Sequence, residues 1–324
     1  MKKLLFTFKI FILIVASSAI TACSDDDDGA SNESMTIVDV ALDTPQLSTL
    51  VAALQAADGN LVSVLSGNGP FTVLAPTNDA FNAFLSANGY ASLDDVPIEA
   101  LTQILLNHVI SGTVRSGDLA TLGAGYTTTL STASPGNNNL SLYFNTNGGV
   151  TFNGGSDVIT ADVMASNGTI HIVDAVIGLP NVVTFATADP NFAVLVDALT
   201  RSDLNTDFVS ILSNPNAEFT VFAPINTAFT DLLTELELTS LSDIDEPTLR
   251  STLTYHVVAD ANVRSSSLTD NMTVTTLGGD ITADVTGGAT LTDANDRVSN
   301  IVAVDVQTSN GVIHAIDKVI LPEL

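Results

Sequence analysis

Four histidines, one cysteine and scattered serines and carboxylates are the residues with which this chain of 324 amino acids could do chemistry. His108, His171, His256 and His314 could serve as metal ligands or acid–base groups, because imidazole titrates near neutrality and binds zinc when neutral. Two imidazoles in each half of the chain are too few for a tetrahedral site, and neither a His-Glu-x-x-His pattern nor a Cys partner accompanies them. His171 sits between Ile170 and Ile172, and His314 between Ile313 and Ala315, surroundings that suit a buried side chain held by a hydrogen bond. Asp293-Ala-Asn295-Asp296-Arg297 begins like a calcium loop, but Val298 stands at the required glycine and Val304 at the closing glutamate. A Gly-x-Ser-x-Gly elbow is absent, and Gly123-Ala-Gly125 lacks the third glycine of a dinucleotide fingerprint, with Thr128 in its place. Arg115-Ser-Gly-Asp118 is not an Arg-Gly-Asp tripeptide, because Ser116 intervenes. The expectation is a non-enzymatic protein with no catalytic, metal or cofactor site.

Charge narrows the partners. Nine Lys and Arg face 36 Asp and Glu, a formal net charge of -27, so phosphate backbones are excluded as partners: binding them needs cations to replace condensed counterions. Only 14% of residues are charged and 45% are hydrophobic, which separates the chain from disordered acidic tails. One Cys rules out an intrachain disulfide framework. Phe supplies 14 aromatics against 4 Tyr and no Trp, so flat sugar-stacking platforms are not signalled.

The elements that must position these residues come in two copies. Phe71-Thr-Val-Leu-Ala-Pro-Thr-Asn-Asp-Ala-Phe81 matches Phe219-Thr-Val-Phe-Ala-Pro-Ile-Asn-Thr-Ala-Phe229, and His108-Val109 matches His256-Val257 at the same spacing. Ser166-Asn-Gly-Thr-Ile-His-Ile-Val-Asp-Ala-Val-Ile177 matches Ser309-Asn-Gly-Val-Ile-His-Ala-Ile-Asp-Lys-Val-Ile320, with a net loss of residues in the second copy before this block. A repeat this long is a domain rather than a solenoid unit. The expected layout is a domain at 36–180 and its duplicate at 181–324.

Within each copy, Thr44-Pro45 and Asp189-Pro190 are helix-start signals. Leu47, Leu50, Val51 and Leu54, like Phe192, Leu195, Val196 and Leu199, then make one apolar helical stripe. FTVLAP and FTVFAP read as strands, with Thr77 or Asn226 placed to cap the helix that follows. Residues 98–107 and 247–255 read as helices. Segments 140–144, 157–163 and 169–177 read as strands joined by Gly/Asn turns such as Asn147-Gly148 and Asn153-Gly154. Helices first and antiparallel strands later is an α+β pattern.

The three blocks together resemble the fasciclin (FAS1) domain, and both copies carry them in order. The resemblance implies two tandem FAS1 domains, each a β-sandwich wedge with helices packed along one side. It also implies an extracellular role in cell adhesion or matrix contact, through protein or polysaccharide partners. In eukaryotic members a Tyr-His pair in the middle motif lies in a segment linked to adhesion. Tyr255 and His256 match that pair; Asn107 and His108 occupy the place in the first copy, with Asn107 departing from the pattern. These four residues are the candidate partner-binding set. The alternative reading is a capture protein for glycans or small ligands that serves nutrient uptake.

Residues 1–22 carry lysines, then an apolar run, then small residues, the layout of a secretory signal. Ile20-Thr-Ala-Cys23 resembles the lipobox of bacterial lipoproteins, with Ile where Leu is usual, and implies lipid attachment at Cys23. Residues 23–35 then form an acidic tether, and Asp25–Asp28 directly after the Cys resembles the surface-export signal of some Gram-negative lipoproteins. The expected localisation is an outer membrane lipoprotein on the cell surface, touching the membrane through its lipid alone. Oligomeric state is open.

Overall fold

A computed structural model describes residues 35–323. The expected signal, Cys23 and the acidic run 25–28 lie outside the described residues. The first repeat contributes seven strands: β1 (Phe71–Pro76), β2 (Val109–Ser111), β3 (Ala124–Thr128), β4 (Ser141–Asn145), β5 (Thr151–Phe152), β6 (Ser156–Ala165) and β7 (Gly168–Val173). The second contributes β8 (Phe219–Pro224), β9 (Val257–Ala259), β10 (Met272–Thr276), β11 (Gly279–Asp284), β12 (Thr290–Thr292), β13 (Val298–Thr308) and β14 (Gly311–Ile316). The sheet orders, β2-β1-β7-β6-β5-β4-β3 and β9-β8-β14-β13-β12-β11-β10, are the same. Each sheet is mixed: β1 runs parallel to β7 and β8 to β14, whereas the other pairings are antiparallel. Two tandem α+β domains of one fold are therefore present.

Alternation along the central strands builds two cores per domain. Val73 and Ala75 of β1 and Ile170 and Ile172 of β7 face the helices, in a cluster with Leu47, Leu50 and Leu54 from the stripe read in the sequence. Leu74 and Val173 point the other way, onto Leu142, Phe144 and Phe152 of the far strands, so the sheet closes on itself as a sandwich. The fold-over is made at β6 and β13, whose registers against β7 and β14 shift twice, at β-bulges that bend a strand.

The Ser-Asn-Gly turns explain why their sequence recurs. Asn167 donates to Leu65 and Gly67 carbonyls and accepts the Ile37 amide; Asn310 donates to Leu212 and Asn214 and accepts the Val182 amide. One side chain thereby ties the turn to two helices in each domain. Those helices, Ile37–Leu42 with Leu61–Ser66 and Val182–Ala188 with Phe208–Leu212, are too short to announce themselves by periodicity. Two cap assignments differ from expectation. Thr77 accepts the Ala80 amide as expected, but the second copy has Ile225 at the cap. Asn226 instead accepts the Val194 amide and donates to Pro190, as Asn78 does with Thr49 and Pro45. Thr44 makes no capping hydrogen bond, and Pro45 opens a short 3-10 turn ahead of the helix Ser48–Ala56.

The copies diverge where β3 meets β4. Twelve residues, Thr129–Leu140, separate these strands, whereas Leu277-Gly278 alone joins β10 to β11. The longer connection and the outer face of β3–β4 are where the first domain seats on the second. Tyr126 donates to Asp189 at 3.0 Å and lies edge-on to Phe185, with ring centroids 5.4 Å apart. Tyr143 joins the core of the second repeat. The Gln307 amide donates to Ser141 Oγ at 2.9 Å. Burial, reinforced by Asp189, pushes the Tyr126 phenol up, so it remains a donor.

Candidate functional site

His108 follows the helix Ile98–Leu106, and His256 follows Glu246–Tyr255. Each is about 2–3% exposed. His108 Nδ1 donates to the Ile104 carbonyl at 2.7 Å, and Nε2 accepts the Ile177 amide at 2.9 Å. His256 repeats this with the Thr252 carbonyl at 2.7 Å and the Ile320 amide at 3.1 Å. A backbone amide aimed at Nε2 requires a lone pair there, so the proton sits on Nδ1 and the ring is neutral. Burial lowers both rings to about 4, against the opposing pull of the carbonyl each one contacts. Each imidazole clips the end of a helix to the last segment of its domain.

His171 and His314 hold the other tautomer. Their Nδ1 atoms accept the Asp162 and Asp305 amides, and their Nε2 atoms donate to the Val114 and Val263 carbonyls at 2.9 and 2.8 Å. Asp162 and Asp305 stand at the bulges in left-handed conformation, φ 58° and 59°. Their carboxylates accept from Ser116 and Ser265, amide and hydroxyl alike. Burial works against the charge on both, but these hydrogen bonds outweigh it and keep the carboxyls below the usual range. Serine, aspartate and histidine are thus adjacent twice over, in an order unsuited to acyl transfer: serine donates to the carboxylate, and no base touches its oxygen. The set pins the bulge where the sheet folds. Ser116 and Asp162 escaped the motif reading, although the repeat marks them, since Val114-Arg-Ser116 matches Val263-Arg-Ser265.

The candidate partner-binding residues are all interior. Asn107 is 0% exposed; its amide donates to Gly178 at 2.9 Å and its oxygen accepts from Thr129 at 3.1 Å. Tyr255, 1% exposed, donates to the Asp280 carbonyl at 2.6 Å and accepts the Ala294 amide at 3.1 Å. Gly278 makes room for it, since a Cβ there would lie 2.8 Å from the Tyr255 backbone. With His108 and His256 also buried, none of the four side chains presents itself to solvent. They brace the strands that carry the surface, and Asn107 does in the first domain a bracing job that Tyr255 does differently in the second. Tyr255→Phe should cost about 1–3 kcal/mol in urea unfolding by orphaning the Ala294 amide and Asp280 carbonyl. A change near zero would show that these groups find other partners.

Asp293, at the failed calcium match, accepts the Asn295, Arg297 and Leu321 amides and faces the Arg297 guanidinium at 3.1 Å. The cation it holds is an arginine. Among the described residues no group of three or more His, Cys, Asp or Glu is placed to hold a metal ion. No single described helix is long and apolar enough to cross a membrane.

The fasciclin domain model matches residues 45–180 and 190–322. Transforming growth factor-beta-induced protein ig-h3 of Sus scrofa is 30% identical over 263 residues, 80% of this chain and 36% of that protein. The cell surface glycolipoprotein MPB83 of Mycobacterium bovis is 35% identical over 141 residues, 44% of this chain and 60% of that protein. The chain therefore spans about a third to three fifths of these relatives' lengths. A solved FAS1 domain pair from the insect cell adhesion molecule Fasciclin I aligns over 85% of this chain and 97% of its own, with a TM-score of 0.55 and 22% identity.

Proposed function

The chain belongs to the fasciclin family, and from that membership we propose that it is a lipid-anchored surface protein mediating cell adhesion or matrix contact by non-catalytic binding. The observation that carries this reading is the use of every histidine, and of both Ser-Asp pairs beside them, as internal bracing. What remains for partners is a rigid double domain with an acidic exterior. Relatives that are a cell surface glycolipoprotein and a cell adhesion molecule support the same role. Cys23 would carry the lipid and Asp25–Asp28 the tether; an acyl set of two or more chains holds a protein stably at a membrane. The partner class is an extracellular protein or polysaccharide. Asn107, His108, Tyr255 and His256 act on binding by holding the surface strands in place.

Deleting 36–324 should abolish attachment to the surfaces the parent cells colonise, and Cys23→Ala should release the protein from the membrane fraction. Unchanged attachment on several surfaces would refute adhesion; normal lipid labelling of the Cys23→Ala protein would refute the anchor. A second reading, small-ligand capture, is favoured by one feature. An apolar cavity of about 140 Å³ lies among Val182, Leu195, Val209, Val221 and Ile313, a size that holds a benzene-sized group. A saturable rise in melting temperature with small apolar probes, in cells whose attachment is unaffected by the deletion, would decide for capture.

A further inference from the structure

The two copies allow the seat of one domain on the other to be mapped onto the surfaces left open. In the second domain the receiving face carries Asn262, Arg264 and Gln307. Asn262 donates to the Pro135 carbonyl, the Gln307 amide donates to Ser141, and Arg264 donates to the Gln307 side chain. The same face exists on the first domain. His171 and His314 donate to Val114 and Val263, which aligns Thr113 with Asn262 and Arg115 with Arg264. The Ser-Asn-Gly turns align Met164 with Gln307. Among the described residues nothing is seated here: Met164 is 54% exposed, as is Ile159 nearby on the same strand, and Arg115 lines an open polar groove with Thr113. Arg264 pairs with Asp305 at 3.4 Å, whereas Arg115 has no ion pair within 4.0 Å among the described residues.

The inserting face can be mapped in the same way. The Leu130 and Leu277 amides donate to Val109 and Val257, which aligns β3 with β10. Ser141, opposite Thr128, is then matched by Asp280, opposite Thr275. Leu142 and Phe144, like Ile281 and Ala283, point into the sandwich, so Asp280 shares the outward side on which Ser141 meets its neighbour. Asp280 is exposed. An exposed carboxylate therefore stands on one end of the molecule where Ser141 stands in the seated pair, and an arginine with no ion pair within 4.0 Å among the described residues stands on the other end.

We propose that the chain self-associates head to tail: the β10–β11 face of one copy docks on the Thr113–Arg115–Met164 face of the next, Asp280 against Arg115. Such contacts use two different patches and do not close, so they extend into open rows. Tyr126 and Tyr143, which seal the intrachain seat, are replaced by Thr273 and Thr282 at the corresponding register. The contact between copies is therefore polar and much weaker than the one within the chain. It becomes significant where anchoring concentrates copies on a surface. The inference adds a second copy to the partners proposed above, and it is tested in solution, apart from any attachment assay.

Sedimentation of the soluble chain from residue 24 onward, up to about 1 mM, the local concentration that short tethers impose, should show growing oligomers with no fixed end. Arg115→Glu alone and Asp280→Ala alone should each remain monomeric. Mixed in equal amounts they should form dimers and nothing larger, because each supplies the one face the other has kept. Met164→Asp, at an exposed position, should act as Arg115→Glu does. A monomeric parent throughout, a closed dimer indifferent to these changes, or single variants that fail to complement would each overturn the proposal.

Discussion

Between pH 6.5 and about 4 the protein loses stability in a step that belongs to two histidines. His108 and His256 are neutral in the fold, with burial holding both at about 4, while an unfolded histidine titrates near 6.5. As the pH falls, the unfolded chain takes up protons that the folded chain refuses. The stabilisation is complete above 6.5 and is lost as pH drops through 4, at about 3 kcal/mol for each histidine. Geometry explains the refusal: protonating Nε2 would set a second N–H against the Ile177 or Ile320 amide already pointing at it. His314 is lowered by burial as well and acts in the same sense. Asp162 and Asp305, held below their ordinary range, give up their share only at more acid pH, so the two effects separate on the pH axis. Urea unfolding from pH 7.5 to 4 measures this directly. His256→Ala should be less stable than the parent at pH 7, by about 3–5 kcal/mol, and should lose its own share of the pH slope while that of His108 and His314 remains. A parent whose midpoint is level across the window would contradict the neutral, buried assignment.

The repeat made most of this fold legible. Motif blocks found twice placed β1 and β8, the closing strands, and the histidines that follow the helices Ile98–Leu106 and Glu246–Tyr255, and the flanking apolar residues marked His171 and His314 as interior. Other features left no local trace. The parallel pairing of Phe71–Pro76 with Gly168–Val173 joins segments about a hundred residues apart, and nothing in either strand names its partner. Helices of five to seven residues such as Phe208–Leu212 and Val182–Ala188 complete no more than two turns, too few for a period to show. Tyr255 reads equally well as a surface aromatic until Gly278 and Gly279 are seen to vacate the space it fills. Asn226 sits at a cap position by sequence, yet a helix 32 residues upstream claims its side chain. In each case the deciding contact is tertiary, and a single sequence records it only where the duplicate copy repeats it.

The glycine that closes the Ser-Asn-Gly motif is the position where the smallest change should do the most damage. Gly168 and Gly311 begin β7 and β14 at φ of +157° and +152°, and each lies directly against the neighbouring parallel strand. A Cβ on Gly311 would stand 2.8 Å from the Phe219 carbonyl carbon and 2.9 Å from its nitrogen, closer than real Cβ atoms come to anything. The obstacle is backbone in the middle of the sheet, with the Phe219 amide bonded to the Asn310 carbonyl, so no side chain can swing away. Relief requires prising β14 from β8, which also pulls Asn310 off its helices and weakens both cores they share. Gly311→Ala should therefore cost about 4 kcal/mol or more, as should Gly168→Ala in the first domain. Gly288 is the control: it too has a positive φ, +128°, but a Cβ there meets nothing within 4 Å. Gly288→Ala carries only the conformational strain, about 1–2 kcal/mol. Urea midpoints of the three variants separate backbone collision from backbone strain. If Gly311→Ala fell within about 1 kcal/mol of Gly288→Ala, the close approach of these strands would not be the constraint that fixes glycine in the motif.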